Sequence, residues 1–225
     1  MGPMSPRRPL VLLDLDGTLT DSAPGILGSI RDTYTQLGIP VPTEDVLRGF
    51  VGPPLHENLL GHGVPADRLD EAVAAYRHSY ATGMFDNAVY PGIPAALADL
   101  RAAGARLIVA TSKPEPFAVR ICAHLDLTRR VDAITGASMD GRRGSKAQVV
   151  ARALSMAGLD AHGPRIMVGD REHDVHGARE HGIRTIGAGW GYAAPGELGT
   201  AGALALADQP GDLARTVLAT LDHRD

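Results

Sequence analysis

The chain has 225 residues, a formal net charge of −4 and 44% hydrophobic residues. This length is sufficient to bury a proper core, as one large domain or two small ones. The slightly acidic balance gives no bulk attraction to a nucleic acid polymer or to an anionic membrane. Cys122 is the only cysteine, so no internal disulfide is possible, and we expect the reducing setting of the cytoplasm.

No apolar run approaches the roughly 20 residues that are needed to span a bilayer. The N-terminal segment carries Arg7 and Arg8, but only a short apolar run follows, and it leads straight into two aspartates. This pattern argues against a signal peptide. We therefore expect no membrane partner.

The first predicted element is a strand over the apolar run Leu10–Leu13. An apolar run of this length that ends near a glycine is typical of a buried strand in a parallel sheet. Helical spacing of apolar residues dominates the next stretch, with no convincing strand between residues 22 and 88. The predicted helices cover residues 26–37, 55–60 and 67–82, with a further short one that opens at Thr43. We therefore predict an all-helical insert over residues 21–88.

Strands and helices alternate from residue 92 onward. Strands are predicted over residues 106–110, 131–135, 165–168, 185–186 and 204–205. Helices are predicted over residues 93–103, 116–125, 145–157, 173–181 and 212–221. Such alternation predicts an α/β fold with a doubly wound, mostly parallel sheet, built from residues 1–20 and 89–225.

Polar side chains follow several of the predicted strands or open the predicted helices. They are Asp14 and Asp16, the run Thr111, Ser112 and Lys113, the single Lys146, and finally Asp170 and Asp174. Because parallel strands point the same way, we expect these groups to converge on one crevice.

Four carboxylates, those of Asp14, Asp16, Asp170 and Asp174, would meet in that crevice. Two like charges about 4 Å apart repel by roughly 4 kcal/mol at an effective dielectric constant of 20. One lysine cannot offset four carboxylates, so we expect a bound cation. Oxygen ligands of this kind suit Mg²⁺.

A phosphate group would supply further oxygen ligands to such a metal. Thr111 and backbone N–H groups of the turns can donate to phosphate oxygens, and Lys146 can neutralise the charge that builds on them. Ser112 and Lys113 are further candidate contacts for the phosphate. For Lys113, a solvated side chain is the alternative.

These motifs, in this order, resemble those of the phosphatases in the haloacid dehalogenase superfamily. The pattern is Asp-x-Asp-Gly-Thr at residues 14–18, a hydroxyl residue at 111, a lysine at 146 and Gly-Asp-x-x-x-Asp at residues 169–174. The resemblance covers nearly the whole chain. It implies that Asp14 is a nucleophile forming an aspartyl-phosphate, and that Asp16 is the general acid and base.

The resemblance also implies a set of magnesium ligands and a mobile cap. The ligands would be Asp14, the backbone carbonyl of Asp16 and Asp170, with Asp174 binding directly or through water. The helical insert resembles the family's cap, which would exclude water and select the leaving group. Its candidate substrate contacts are Arg48, the turn at residues 52–55 and His56, with ordinary surface positions for Arg48 and His56 as the alternative.

Two branches of the family are similar to this chain in detail, the phosphoglycolate phosphatases and a 5′-nucleotidase-like branch. The run Gly189–Tyr192 resembles the second branch, although Ala193 stands where that branch often has glycine. Ala147 and Gln148 follow Lys146, where phosphoglycolate phosphatases typically have Pro-x-Pro. The sequence is therefore compatible with either phosphoglycolate or a nucleoside 5′-monophosphate as the substrate.

We therefore expect a Mg²⁺-dependent phosphatase that acts on a small phosphorylated metabolite in the cytoplasm, as a monomer or homodimer. One alternative is a phosphotransferase or mutase on the same site. Another is a catalytically silent regulatory binding protein, against which the intact set of aspartates and Lys146 argues.

Overall fold

A computed structural model describes residues 8–52 and 55–222 of the chain. The chain divides into two compact units, one formed by residues 1–20 and 89–225 and the other by residues 21–88. The two prolines of the predicted turn at residues 52–55 lie outside the described residues. Within the described ranges, no helix combines the length and apolar character that crossing a membrane requires.

The strands and α-helices of the described residues follow one another along the chain as follows. The strands are β1 (Leu10–Leu13), β2 (Thr20–Asp21), β3 (Ala88–Val89), β4 (Arg106–Pro114), β5 (Ala133–Ala137), β6 (Arg165–Gly169), β7 (Arg184–Ala188) and β8 (Ala205–Ala207). The helices are α1 (Ala23–Leu37), α2 (Glu44–Arg48), α3 (Leu55–Gly61), α4 (Leu69–Gly83), α5 (Ile93–Ala102), α6 (Glu115–His124), α7 (Lys146–Ala157), α8 (Glu172–Arg179), α9 (Glu197–Ala201) and α10 (Leu213–Asp222).

Six strands of the first unit form one parallel sheet in the order β5-β4-β1-β6-β7-β8. Helix pairs flank it, with α7 packed on α8 and α5 packed on α10. The prediction of a doubly wound α/β fold is confirmed. The chain adds β4 and β5 on one side of β1 and then returns to add β6 to β8 on the other. The strand order therefore reverses beside β1, where open α/β sheets bind ligands.

The central strand β1 is buried on both faces, since all four of its residues are fully inaccessible to solvent. Leu10 and Leu12 belong to a core cluster with residues of β4, β6, α7 and α8. Leu13 lies opposite Val109 of β4 and Val168 of β6. Beyond this row, β6 continues for one residue to Gly169 and β4 continues to Pro114. The residues that follow β1 and β6 and the last residues of β4 therefore lie at the same edge of the sheet.

The second unit consists of α1 to α4, and α1 packs against α4 at very short range. A Cβ added at Gly25 would lie 2.0 Å from the carbonyl oxygen of Gly83, and one added at Gly83 would lie 2.6 Å from Oγ of Ser29. Two glycines thus allow the two helix backbones to approach. The helical prediction for this stretch agrees with the structure, except that Ala88 already begins β3, which pairs with β2.

Strand β5 begins two residues later than the sequence pattern predicts. Asp132 lies just before it, and its backbone N–H donates to the carbonyl oxygen of Leu107 at 2.8 Å. Its carboxylate accepts from the N–H of Leu107, also at 2.8 Å. The aspartate therefore caps the start of β4 instead of entering the ladder. Helix α9 was not predicted because its five residues are too few to show a helical period.

Cys122 on α6 is a core residue, as the sequence suggests. Its side chain is fully buried. Burial raises the pKa of the thiol to about 12, and the charge of Asp16 adds to the effect. The thiol therefore stays protonated near neutral pH and is a poor nucleophile.

Replacing Leu12 by alanine should lower the free energy of unfolding by about 2–5 kcal/mol, because it leaves a cavity under α7 in the central strand. Urea denaturation followed by circular dichroism measures this loss. Leu206→Ala is a matched control on the outer strand β8, where the leucine is 51% exposed, and it should cost far less. Equal losses for the two variants would contradict this account of the core.

Candidate active site

The two aspartates that follow β1 lie in a tight turn at the carboxyl edge of the sheet. The N–H of Asp14 donates to the carbonyl oxygen of Val168 at 2.9 Å, which extends the β1–β6 ladder by one step. The carbonyl oxygen of Leu15 accepts from the N–H groups of both Leu19 and Thr20. Gly17 makes this turn possible with a φ of +77°, in the left-handed region that favours glycine.

Asp170 and Asp174 reach the same place from the end of β6 and the start of α8. Asp170 is fully buried. Its Oδ2 accepts from the N–H of Tyr192 at 2.8 Å, and its Oδ1 accepts from the hydroxyl of Thr18 at 3.3 Å. The N–H of Arg171 donates to Oδ2 of Asp174 at 3.1 Å. Backbone donors therefore orient both carboxylates.

The carboxylates of Asp14, Asp170 and Asp174 form one cluster, in which each offers an oxygen within 4.8 Å of the others. At that separation and an effective dielectric constant of 20, each pair of charges repels by at least about 3 kcal/mol. Burial raises the pKa of Asp170 well above its usual range, and the charges of Asp174 and Asp14 add to this. Burial also raises the pKa of Asp174 to about 6, against the opposing charge of Lys146.

The donor set of this cluster fits Mg²⁺. Its three side chains offer carboxylate oxygens, the hard ligands that this ion prefers. Burial and the charges of the neighbouring carboxylates both raise the pKa values of Asp170 and Asp174, and a divalent cation would stabilise their charged forms. The carboxylate of Asp16 stands outside the cluster. That position is compatible with the expectation that Asp16 binds a metal through its backbone carbonyl.

Lys146 opens α7 and reaches into the cluster. Its Nζ lies 2.8 Å from Oδ1 of Asp14 and 2.6 Å from Oδ1 of Asp174, and it donates to the carbonyl oxygen of Ala110 at 3.1 Å. Burial by itself would lower the pKa of Lys146, but the charges of the two aspartates outweigh burial and raise it. Lys146 is therefore a permanent cation beside Asp14.

The start of α7 is fixed by its own sequence. Oγ of Ser145 accepts from the N–H of Gln148, and Oε1 of Gln148 accepts from the N–H of Ser145. This is a reciprocal capping box, which defines where the helix begins. The position of Lys146 as the first helical residue follows from it.

The run Thr111–Lys113 lies within β4, since the strand continues to Pro114 and not to Ala110 as predicted. Thr111 is buried, and its Oγ1 accepts from the N–H of Lys113 at 3.2 Å. A hydroxyl that accepts one hydrogen bond can still donate its own proton, as a phosphate contact requires. Ser112 is exposed. Nζ of Lys113 lies 3.0 Å from Oδ2 of Asp16, so Lys113 is not a solvated side chain.

The two candidate substrate contacts, Arg48 and His56, belong to the second unit, residues 21–88. Arg48 is the last residue of α2, and His56 lies in the first turn of α3. Both are exposed. A role for either in substrate binding stays a prediction.

Gly17 and Gly169 belong to the predicted motifs, but the sequence reasoning assigned them no role, and it missed Gly177. A Cβ on Gly17 would lie 2.2 Å from Oδ2 of Asp170, and one on Gly169 would lie 2.2 Å from Oδ2 of Asp174. One on Gly177, inside α8, would lie 2.7 Å from Cγ of Lys146. Glycine in a helix interior lowers helix stability by up to about 1 kcal/mol relative to alanine. Gly177 inside a predicted helix was therefore the sequence signal that could have indicated a close packing contact.

Comparisons with known proteins agree with this site. A family model described as haloacid dehalogenase-like hydrolase matches residues 11–188. The chain is 51% identical over 185 residues to the tyrosine-protein kinase PtkA of Mycobacterium tuberculosis, covering 81% of this chain but only 62% of the kinase. It is 41% identical over 194 residues to a 5′-nucleotidase of Pseudomonas aeruginosa, covering 85% of this chain and 87% of that protein.

A solved structure is similar over nearly the whole chain. It is a crystal structure of a predicted phosphatase from Clostridium acetobutylicum, with 38% identity and a TM-score of 0.86. The alignment covers 96% of this chain and all of the other.

Gly177→Ala should lower both stability and turnover, because the added methyl displaces Lys146 from Asp14. Overpacking of this kind costs about 1–3 kcal/mol. Gly28→Ala is the matched control, since Gly28 lies inside α1 and a Cβ there meets nothing within 4 Å. That control should gain up to about 1 kcal/mol. A stabilised and fully active Gly177→Ala variant would contradict the packing described here.

Proposed function

The chain belongs to the haloacid dehalogenase-like hydrolases, and we propose that it is a Mg²⁺-dependent phosphatase that hydrolyses a small phosphate monoester through an aspartyl-phosphate. One observation carries the proposal. A buried carboxylate, Asp14, lies at the sheet edge between a lysine ammonium and two further carboxylates. Asp16 follows two residues later, outside that cluster.

Asp14 is the proposed nucleophile. One of its carboxylate oxygens attacks phosphorus, an O–P bond forms, and the bond from phosphorus to the leaving oxygen breaks. Asp16 gives that oxygen its proton. In the second half, Asp16 takes a proton from water as the water oxygen bonds to phosphorus. The bond from Asp14 to phosphorus then breaks, which regenerates the carboxylate and releases phosphate.

The remaining groups bind and neutralise the phosphoryl group in this proposal. The hydroxyl of Thr111, together with Ser112, donates to phosphate oxygens, and Lys146 holds Asp14 in place and offsets charge. Mg²⁺ held by Asp14, the carbonyl of Asp16, Asp170 and Asp174 would supply further positive charge at the phosphoryl oxygens.

A nucleoside 5′-monophosphate is the favoured substrate class, and phosphoglycolate is the second. The Pseudomonas aeruginosa relative supports the first, because it carries that activity in its name and aligns over most of its length. We propose the helical unit as the cap that selects the leaving group, with Arg48 and His56 as contacts. A screen of nucleoside 5′-monophosphates, phosphoglycolate and sugar phosphates by kcat/KM tests the choice.

A phosphotransferase is the second candidate, and the Mycobacterium tuberculosis relative named as a tyrosine kinase favours it. The phosphoryl group of the same aspartyl-phosphate would then pass to a hydroxyl acceptor instead of water. Since this chain spans 62% of that kinase, the comparison bears on the shared part alone. Steady release of phosphate with no acceptor present favours the phosphatase. Formation of a phosphorylated phenol or alcohol in place of free phosphate favours the transferase.

We further propose that the protein works in the cytoplasm as a monomer or homodimer, without nucleic acid or membrane partners. The single buried cysteine and the net charge of −4 support this setting.

Asp14→Asn should abolish phosphate release from 4-nitrophenyl phosphate and leave the fold intact, because the amide is a far weaker nucleophile. The matched control is Asp99→Asn, which makes the same change on the exposed face of α5 and should retain wild-type activity. Wild-type protein quenched in acid during turnover should carry a phosphoryl group on Asp14, detected by mass spectrometry. Sustained turnover by the Asp14→Asn variant would overturn the assignment.

Chelation of Mg²⁺ should stop turnover, and Mg²⁺ affinity should fall as the pH is lowered from about 7.5 to about 5.5. The raised pKa of Asp174, about 6, means that this carboxyl gains a proton across the interval. A protonated carboxyl is a poor metal ligand, so protons and metal compete. Isothermal titration calorimetry with Mg²⁺ at both pH values measures the change. Full activity in excess chelator would refute metal dependence.

A further inference from the structure

The sequence contains 22 basic residues, yet only two of them are lysines, Lys113 and Lys146. Both lysine side chains are almost completely buried, with 6% and 4% of their surface exposed. Each forms an ion pair with one member of the aspartate pair that follows β1. Lys146 holds Asp14, and Lys113 holds Asp16. The second of these pairs has no role in the proposed mechanism.

The carboxylate of Asp16 is held asymmetrically. Its Oδ2 lies 3.0 Å from Nζ of Lys113. Its Oδ1 is buried and has no hydrogen-bond partner in the part of the chain that the structure describes. Burying a carboxylate oxygen without a hydrogen-bond partner costs free energy. Such an atom in a folded protein therefore often has a functional role. The two oxygens of Asp16 therefore differ in that Oδ2 is held by an ion pair and Oδ1 is available for another partner.

The backbone around Lys113 is built to place its side chain. The pairing of β4 with β5 shifts register between Thr111 and Pro114, which marks a bulge. Gly136 on β5 faces it, and a Cβ there would lie 2.4 Å from the carbonyl oxygen of Lys113. The carboxylate of Glu115 accepts from the N–H of Gly136 and pairs with Arg143, at 3.2 and 2.9 Å. These contacts pin the bulge.

We propose that Lys113 is a positioning residue for Asp16. It anchors Oδ2 and so leaves Oδ1 as the oxygen that moves the proton. A protonated carboxyl keeps acceptor capacity on its other oxygen, so the anchor holds in both protonation states. The proton on Oδ1 passes to the leaving oxygen as the P–O bond breaks. Oδ1 later takes a proton from the water that attacks phosphorus. This inference rests on the proposed function.

The test compares a good and a poor leaving group. Lys113→Met, which keeps the length and removes the charge, should lower kcat for an alkyl phosphate about 10- to 100-fold more than for 2,4-dinitrophenyl phosphate. The poor leaving group needs the proton and the good one does not. Lys113→Arg should restore part of the loss. The same pattern should appear in Asp16→Asn, and the double variant should be no worse than Asp16→Asn alone.

A direct phosphate contact gives a different result. Lys113→Met would then raise KM for both substrates by the same factor, and its effect would multiply with that of Asp16→Asn. That outcome overturns the proposal. Absence of phosphatase activity in the wild-type protein would instead overturn the proposed function, which separates the two failures.

A measurement independent of activity uses the scarcity of lysine. Nitrogen-15 NMR of the lysine ammonium groups should show two slowly exchanging signals, one for each buried ion pair. Asp16→Asn should move or abolish the Lys113 signal and leave that of Lys146, and Asp99→Asn should leave both. An unchanged Lys113 signal in the Asp16→Asn variant would also overturn the proposal.

Discussion

The repulsion among three buried carboxylates at the carboxyl edge of the sheet is the constraint on which the rest of the structure depends. Asp14, Asp170 and Asp174 each offer a carboxylate oxygen within 4.8 Å of the others, close enough to bind one metal ion. Their negative charges repel one another at this distance. Lys146 supplies a single positive charge, at 2.8 Å from Asp14 and 2.6 Å from Asp174. One ammonium group against three carboxylates leaves a net negative charge. The proposed Mg²⁺ would neutralise that charge and act on the phosphoryl group.

The paired strands, backbone hydrogen bonds and close packing of the fold hold these carboxylates in place. Three buried strands, β1, β4 and β6, pair in parallel, so the aspartates that follow β1 and β6 and the last residues of β4 lie at one edge of the sheet. Backbone N–H groups of Tyr192 and Arg171 orient the carboxylates that follow β6. Glycines at positions 17, 169 and 177 remove the methyl groups that would otherwise displace a carboxylate or the lysine. The geometry of the carboxylate cluster is therefore a property of strand register and close packing.

Much of this was predictable from local sequence. Apolar runs such as Leu10–Leu13 mark strands buried on both faces, because only strands covered by helices lack alternation. The helix predicted over residues 145–157 agrees with α7, whose start is fixed by the capping box of Ser145 and Gln148. The predicted strand bounds were wrong where a residue far away in the chain determines the local structure. The side chain of Asp132 caps β4, so β5 starts later than its own residues suggest. The bulge in β4 depends on Gly136, more than twenty positions away.

The sequence by itself determined which charged groups this protein has, their order, and the strands and helices that carry them, because these follow from local pattern and residue chemistry. It therefore also determined the family. The tertiary structure alone decided which lysine pairs with which aspartate. Lys113 was compatible with a phosphate contact or with solvent, and the structure placed it on Asp16. That pairing depends on the register between β4 and β5 and on the approach of two backbones. These are contacts between residues far apart in the chain, which no local pattern encodes.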